Sequence, residues 1–263
     1  MAPPHRSESR ALFSPGIPFA IAITLLLASA PALAGVEIEY GSGFEDASVI
    51  ERVQHDSAQY SGTNVHIGPA LVTGVKTTAN NSLFFVQVPP AMAGPGYPRY
   101  SGIKAFSSVP IVGLAVGDCV SFDGTVIEFQ DATELSPVSN LLLEVASACG
   151  ALPIVPCVVG VSNIASDVDL ITAGFQPGAL SEVFEGVLVR IGPVVAAASS
   201  VAGVFPVTEP AMLPRMDIGS TLFDYSAVVS ETFPSITGIV DQLGINAANE
   251  YRLLPRAASD LQH

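Results

Sequence analysis

Short β-branched and aromatic runs, each ended by Gly, Pro, Asn or Asp, set the tightest limit on what this chain can fold into. Beyond residue 35 no segment sustains a long 3.6-residue apolar period, and Glu45 to His55 is the best short helical stretch. Strand signals take its place. Ala70–Val75 leads through a turn at Thr78–Asn81 into Leu83–Val88, and a Pro/Gly loop at 89–98 leads into Ser101–Phe106. Asp118–Phe129 and a strand from Thr133, continuing intermittently to Ala148, complete five strands in about 80 residues, a size that suits one small barrel.

The pattern then repeats. Residues 150–180 are rich in Pro and Gly, carry a short strand at Val158–Val161 and read as a connection. A second series follows: Glu182–Ile191, Gly203–Val207, Met212–Ile218, Ser235–Leu243 and Glu250–Leu254. Asp123–Glu128 precedes Thr133–Leu135 as Thr237–Gln242 precedes Tyr251–Leu253. Each pair is a strand with an internal Gly followed by a turn and a final strand. Glycine inside a strand marks a bulge or sharp bend, which a small barrel needs in order to close. Two matching hairpins at the ends of two series point to a tandem repeat.

The N-terminus carries a different signal. Arg6 and Arg10 precede an apolar run from Ile17 to Ala28, and Ala30-Pro31-Ala32-Leu33-Ala34-Gly35 places small residues where a signal peptidase cuts, between Ala34 and Gly35. The run is shorter than the ~20 residues that span a bilayer. The expectation is a signal peptide at 1–34, no stable membrane span after cleavage, and a secreted or periplasmic protein. The chain has 10 Lys and Arg against 24 Asp and Glu, a net charge of −14. Without Arg6, Arg10 and Glu8 it has 8 basic and 23 acidic residues and a charge of −15. Such a surface repels polyphosphate and counts against strong general nucleic-acid binding.

Three cysteines enter that oxidising space: Cys119, Cys149 and Cys157. Two can pair. Cys149 and Cys157 flank a short Pro-rich loop, and Cys119 and Cys149 would end neighbouring strands; both pairings stay open. No CxxC and no close His accompanies them, so no metal site is expected. Glu182, Glu185, Asp167 and Asp169 are oxygen donors of the kind calcium takes. They lack an Asp-rich repeat and read as solvated surface. Asn80-Asn81-Ser82 fits both a glycosylation sequon and a hairpin turn.

The ordered series IERVQ (Ile50–Gln54), VTGV (Val72–Val75), LFFVQ (Leu83–Gln87), SGIKAF (Ser101–Phe106), VGDCVSFDGTVIEF (Val116–Phe129), ATEL (Ala132–Leu135), SEVFEGVLVRI (Ser181–Ile191), SITGIV and YRLLPRAASDL (Tyr251–Leu261) resembles the tandem OB-fold region of secreted bacterial nucleases, the YhcR-type nuclease-associated module. The resemblance spans about Val49 to Leu261. It implies an all-β chain of two tandem OB-fold-like five-stranded barrels: an N-terminal extension at 35–62, a first barrel at 63–150, a linker at 151–180 and a second barrel at 181–263. The family's catalytic domain has no counterpart before His263, and no HxKxxxxD, HExxH, GxSxG or SDH-type motif is present. The expectation is a non-catalytic protein without a cofactor that binds single-stranded nucleic acid or docks onto another secreted protein, such as a separate nuclease.

OB barrels bind mainly on the face of strands 2 and 3. In the first barrel that region holds Lys76, Phe85, Gln87, Arg99, Tyr100, Lys104 and Phe106. Aromatics beside basic residues suit base stacking. Strand periodicity offers the competing reading, in which Phe84 or Phe85 and Phe106 fill the core and the basic residues solvate an edge.

Overall fold

A computed structural model describes residues 47–94, 96–130, 132–150, 153–164, 181–210, 215–242 and 251–263. The segment read as a signal peptide, with Ala34 and Gly35, lies outside them, as do Asp167 and Asp169. No described helix is long and apolar enough to cross a membrane.

The fold is mostly β. Its first half is a closed five-stranded barrel of β1 (Asn64–Thr77), β2 (Ser82–Gln87), β3 (Gly102–Ser107), β4 (Cys119–Phe129) and β5 (Ala132–Leu143), ordered β1-β2-β3-β5-β4. β3 and β5 run parallel, with Lys104 opposite Glu134, and the other pairs are antiparallel. β1 closes the ring because it is long enough to pair twice. Asn64 to Leu71 lies on β4, and Leu71 to Thr77 on β2. The Thr78–Asn81 turn is closed by Thr78 N–H to Asn81 O at 2.9 Å. The ladder slips beside Gly124, the internal strand glycine, where a Cβ would sit 2.8 Å from Leu135 Cβ.

Alternation along the strands sends Phe84, Val86, Ile103, Val120, Phe122, Val126 and Leu135 inward. Phe84 and Phe122 meet edge to face at 5.3 Å between centroids. Helix α1 (Ala47–His55) adds Ile50 and Val53 to this core, and α2 (Ser57–Tyr60) continues it to the start of β1.

The second half is built from β6 (Cys157–Val158), a helical turn α3 (Val161–Ile164), β7 (Leu188–Ile191), β8 (Val194–Ala196), β9 (Val204–Thr208), β10 (Arg215–Gly219), β11 (Thr232–Phe233), β12 (Ser235–Gln242), β13 (Tyr251–Leu254) and β14 (Leu261–Gln262). Its strands run β11-β8-β9-β10-β13-β12-β7-β6, with β14 on β12. The expected strand Glu182–Ile191 is only partly one: Glu182–Phe184 forms a 3₁₀ turn before β7. Phe205, Met216, Phe233, Tyr251 and Leu253 anchor this core. The described residues of both halves belong to one compact unit.

Cys119 and Cys149 are joined in a disulfide, and Cys157 is a free, half-buried thiol. The bond ties the start of β4 to the 3₁₀ turn after β5, in a small cluster with Leu71. Unfolded but unreduced protein is therefore expected to titrate one thiol per chain, and reduced protein three. A count of three without reductant would exclude the pairing.

Candidate functional site

The outward side chains of β1, β2, β3 and β5 divide between two environments. Part of this face is covered by the second half. Phe85, fully buried, packs there with Leu188, Ile239 and Leu254. Gln87 is also fully buried. Its amide donates to Ser101 Oγ at 3.0 Å and to Tyr97 Oη at 3.3 Å, and its oxygen accepts the Leu188 N–H at 3.1 Å. Burial pushes the Tyr97 phenol up to about 12, so it stays a neutral hydroxyl beside Gln87 even above the ordinary tyrosine range. Both halves meet so closely at Gly102 and Gly186 that a Cβ on Gly102 would lie 2.2 Å from the Gly186 carbonyl. The Tyr100 N–H donates to Val183 O at 2.7 Å, and Gln54 donates to Gly102 O at 2.7 Å.

Lys104 sits at the edge of this contact, 5% exposed. Its ammonium is 3.0 Å from Asp241 of β12 and 3.9 Å from Glu134 of β5. Burial alone would lower its pKa; the Asp241 charge and hydrogen bond, with Glu185 and Glu134 behind them, more than offset burial and hold it above the ordinary lysine value. The carboxyls go the same way for a different reason. Burial raises Asp241 and Glu134 despite Lys104, and it raises Glu185 furthest, aided by the Glu182 charge. Glu185 is 2% exposed and accepts the Thr133 N–H at 3.0 Å. The reading of Glu185 as solvated surface is thus corrected: the turn at Glu182–Phe184 swings it between the halves.

The rest of the face is open. A cleft of about 590 Å³ is walled by Leu83, Phe106, Ile127 and Phe129. Lys104, Glu134 and Asp241 lie at its charged base, and Lys76 also lines it. Phe106 and Ile127 are half-buried, Phe129 is 52% exposed and Lys76 is exposed. Thr221 and Asp241 come from the second half, so both halves build the cleft. It offers apolar and aromatic area for a flat group, carboxylate oxygens that accept hydrogen bonds, and an exposed cation.

Of the residues named from sequence, Lys76, Lys104 and Phe106 therefore converge on one cleft. Phe85 and Gln87 are buried between the halves. Arg99 and Tyr100 line a separate cleft beside α1. Phe129, Glu134 and Asp241 were missed. Phe129 and Glu134 are adjacent to the face in strand order, whereas nothing local to Asp241 ties it to Lys104, 137 residues away. Among the described residues no group of three His, Cys, Asp or Glu side chains is arranged to hold a metal.

Barrel and cleft together define a mostly-β protein with a closed five-stranded barrel and a cleft on the outer face of its strands. No family model matches the chain, and no curated protein matches it.

Proposed function

We propose that this chain is an exported, non-catalytic binding protein of two tandem OB-type barrels, akin to the nuclease-associated module of secreted bacterial nucleases, and that it takes a short stretch of single-stranded nucleic acid in the cleft beside Phe106 and Phe129. The strand order β1-β2-β3-β5-β4 with a parallel β3–β5 pair supports the OB reading of the first half. For the second half, β7 and β8 are separated only by Gly192-Pro193 and lie near opposite ends of the strand path. Taken as one broken strand, they give β9, β10, β13 and β12 the circuit of the first barrel. The Gly192-Pro193 bond is cis, as is Gly68-Pro69 inside β1.

The cleft is the observation that carries the binding role. A base can stack on Phe106 and Phe129, and Glu134 or Asp241 can accept a base amine, as acidic side chains do from cytosine N4. The carboxylates at the base repel phosphate, so the backbone would pass Lys76. One exposed cation, Lys76, in a mature chain of charge −15 means weak, short-range binding. Labelled short oligonucleotides at low salt should show it by fluorescence anisotropy. Phe129→Ala is expected to cost about 1–3 kcal/mol of binding, the range for one stacked base. The salt slope should be shallow, near −0.7 for a single neutralised phosphate. No anisotropy change at high protein concentration would remove the nucleic-acid ligand.

A second reading is a scaffold that docks onto another secreted protein. It is favoured by the exposed Leu142, Leu143 and Val145 at and beyond the end of β5, 60%, 62% and 70% exposed. Leu143→Lys would then release the partner in a secretome pull-down and leave oligonucleotide binding unchanged. Incubation with DNA and RNA plus Mg²⁺ or Ca²⁺ checks the non-catalytic assignment, which degradation would overturn.

A further inference from the structure

Among the described residues the cleft beside α1 shares none with the one at Phe106, and its chemistry is different. It measures about 610 Å³ and lies between α1, α2 and the loop joining β2 to β3. That is the size of a small-molecule site. α1 contributes Arg52 and His55, α2 contributes Tyr60, and the loop contributes Arg99 and Tyr100. The His55 and Tyr100 rings meet edge to face at 5.2 Å.

The two arginines are exposed, and neither forms an ion pair among the described residues. In a chain with 24 acidic residues against 10 basic ones this is a selective arrangement. Two carboxyls share the cleft. Glu51 is engaged, accepting the Gly94 N–H at 3.4 Å, and burial raises its pKa. Asp56 is exposed and works against an anion.

Guanidinium groups present forked donors that match the oxygens of a carboxylate or phosphate, and their flat faces tolerate stacked rings. We infer that this cleft binds a planar organic anion, an aromatic carboxylate or phosphate monoester, with its charged group held by Arg52 and Arg99 and its ring against Tyr100 and His55. The inference stands apart from the nucleic-acid reading, because it uses other residues and needs no polymer.

Calorimetric titration of the full chain tests it, with phenyl phosphate and benzoate as probes and phenol and benzylamine as controls. At least one of the two anions should bind, and the controls should not. Arg52→Ala and Arg99→Ala should each weaken that binding by about tenfold or more, the loss of one charge-assisted contact. Asp56→Asn should tighten it, and Lys76→Ala should leave it unchanged. All four positions are exposed, so an unaltered thermal midpoint will certify each variant's fold. Binding of phenyl phosphate but not benzoate would identify phosphate as the recognised group, and the converse would identify carboxylate. Three results would overturn the site: no heat from either anion, controls that bind as well as the anions, or anion binding indifferent to both arginine variants.

Discussion

Gly186→Ala is expected to lower the stability of the fold by about 4 kcal/mol, through two independent costs. Gly186 has φ +71°, the left-handed region, where an L side chain costs roughly 1–2 kcal/mol. Its new Cβ would also lie 2.6 Å from Gly102 C and from Ile103 N. Those are backbone atoms of β3, held by pairing of Gly102 and Ile103 with Gln87 and Val86 of β2, and cannot swing away as a flexible side chain would. Overpacking of this kind costs about 1–3 kcal/mol. For a chain of this size the thermal midpoint should fall by roughly 8–16 °C. Gly113→Ala is the control: Gly113 has φ +87° but nothing within 4 Å of its Cβ position, so it should show only the backbone cost of about 1–2 kcal/mol. Equal midpoints for the two variants would mean that the halves do not meet at Gly186.

That contact also marks where reading along the chain stops being informative. The strands are local objects, and their apolar alternation with Gly, Pro and Asn turns was enough to place several of them, although β1 starts at Asn64 rather than Ala70, and Val158–Val161 and Glu182–Ile191 are strands only in part. Leu83–Val88 is β2 at Ser82–Gln87, Ser101–Phe106 is β3 at Gly102–Ser107, and Asp118–Phe129 is β4 at Cys119–Phe129. Periodicity also says that Phe84 and Phe85 face opposite ways. It does not say what lies over the outer face. Phe84 fills the barrel, whereas Phe85 is equally buried because Leu188, Ile239 and Leu254 cover it from outside. Lys104 poses the same problem in its charge. A lysine in SGIKAF looks like a ligand contact until Asp241 is found 3.0 Å from it. Gly102 and Gly186 carry no local mark of their contact, since nothing within SGIKAF or SEVFEGVLVRI says that their glycines meet and the pairing spans 84 positions of chain. The candidate cleft was thus half legible: Lys76, Lys104 and Phe106 were within reach, but its far wall belongs to the other half.

The second large effect follows from the same long-range pair. Lys104→Met should cost about 3–5 kcal/mol at neutral pH, because it strands buried carboxylates without their cation. Methionine fills most of the stem's volume, so lost charge rather than a cavity dominates. The pH dependence separates this from loss of packing. Asp241, Glu134 and Glu185 have folded pKa values above their ordinary ones, so the folded state holds protons that the unfolded chain has released. Their contribution to stability therefore grows as pH falls through the raised values, and is complete once the ordinary carboxylate range is reached. Removing Lys104 raises them further and steepens that gain. Denaturant titrations at neutral pH and in the mildly acidic range just above ordinary carboxylate values should show the penalty shrinking on acidification. Glu185→Gln tests the sign from the other side. Its amide oxygen can still accept the Thr133 N–H, and the buried charge is gone. That variant should be at least as stable as the parent at neutral pH and gain less on acidification. A Lys104→Met penalty that is the same at both pH values would show that the lysine is held by its methylene packing, and that the charges between the halves do not set their stability.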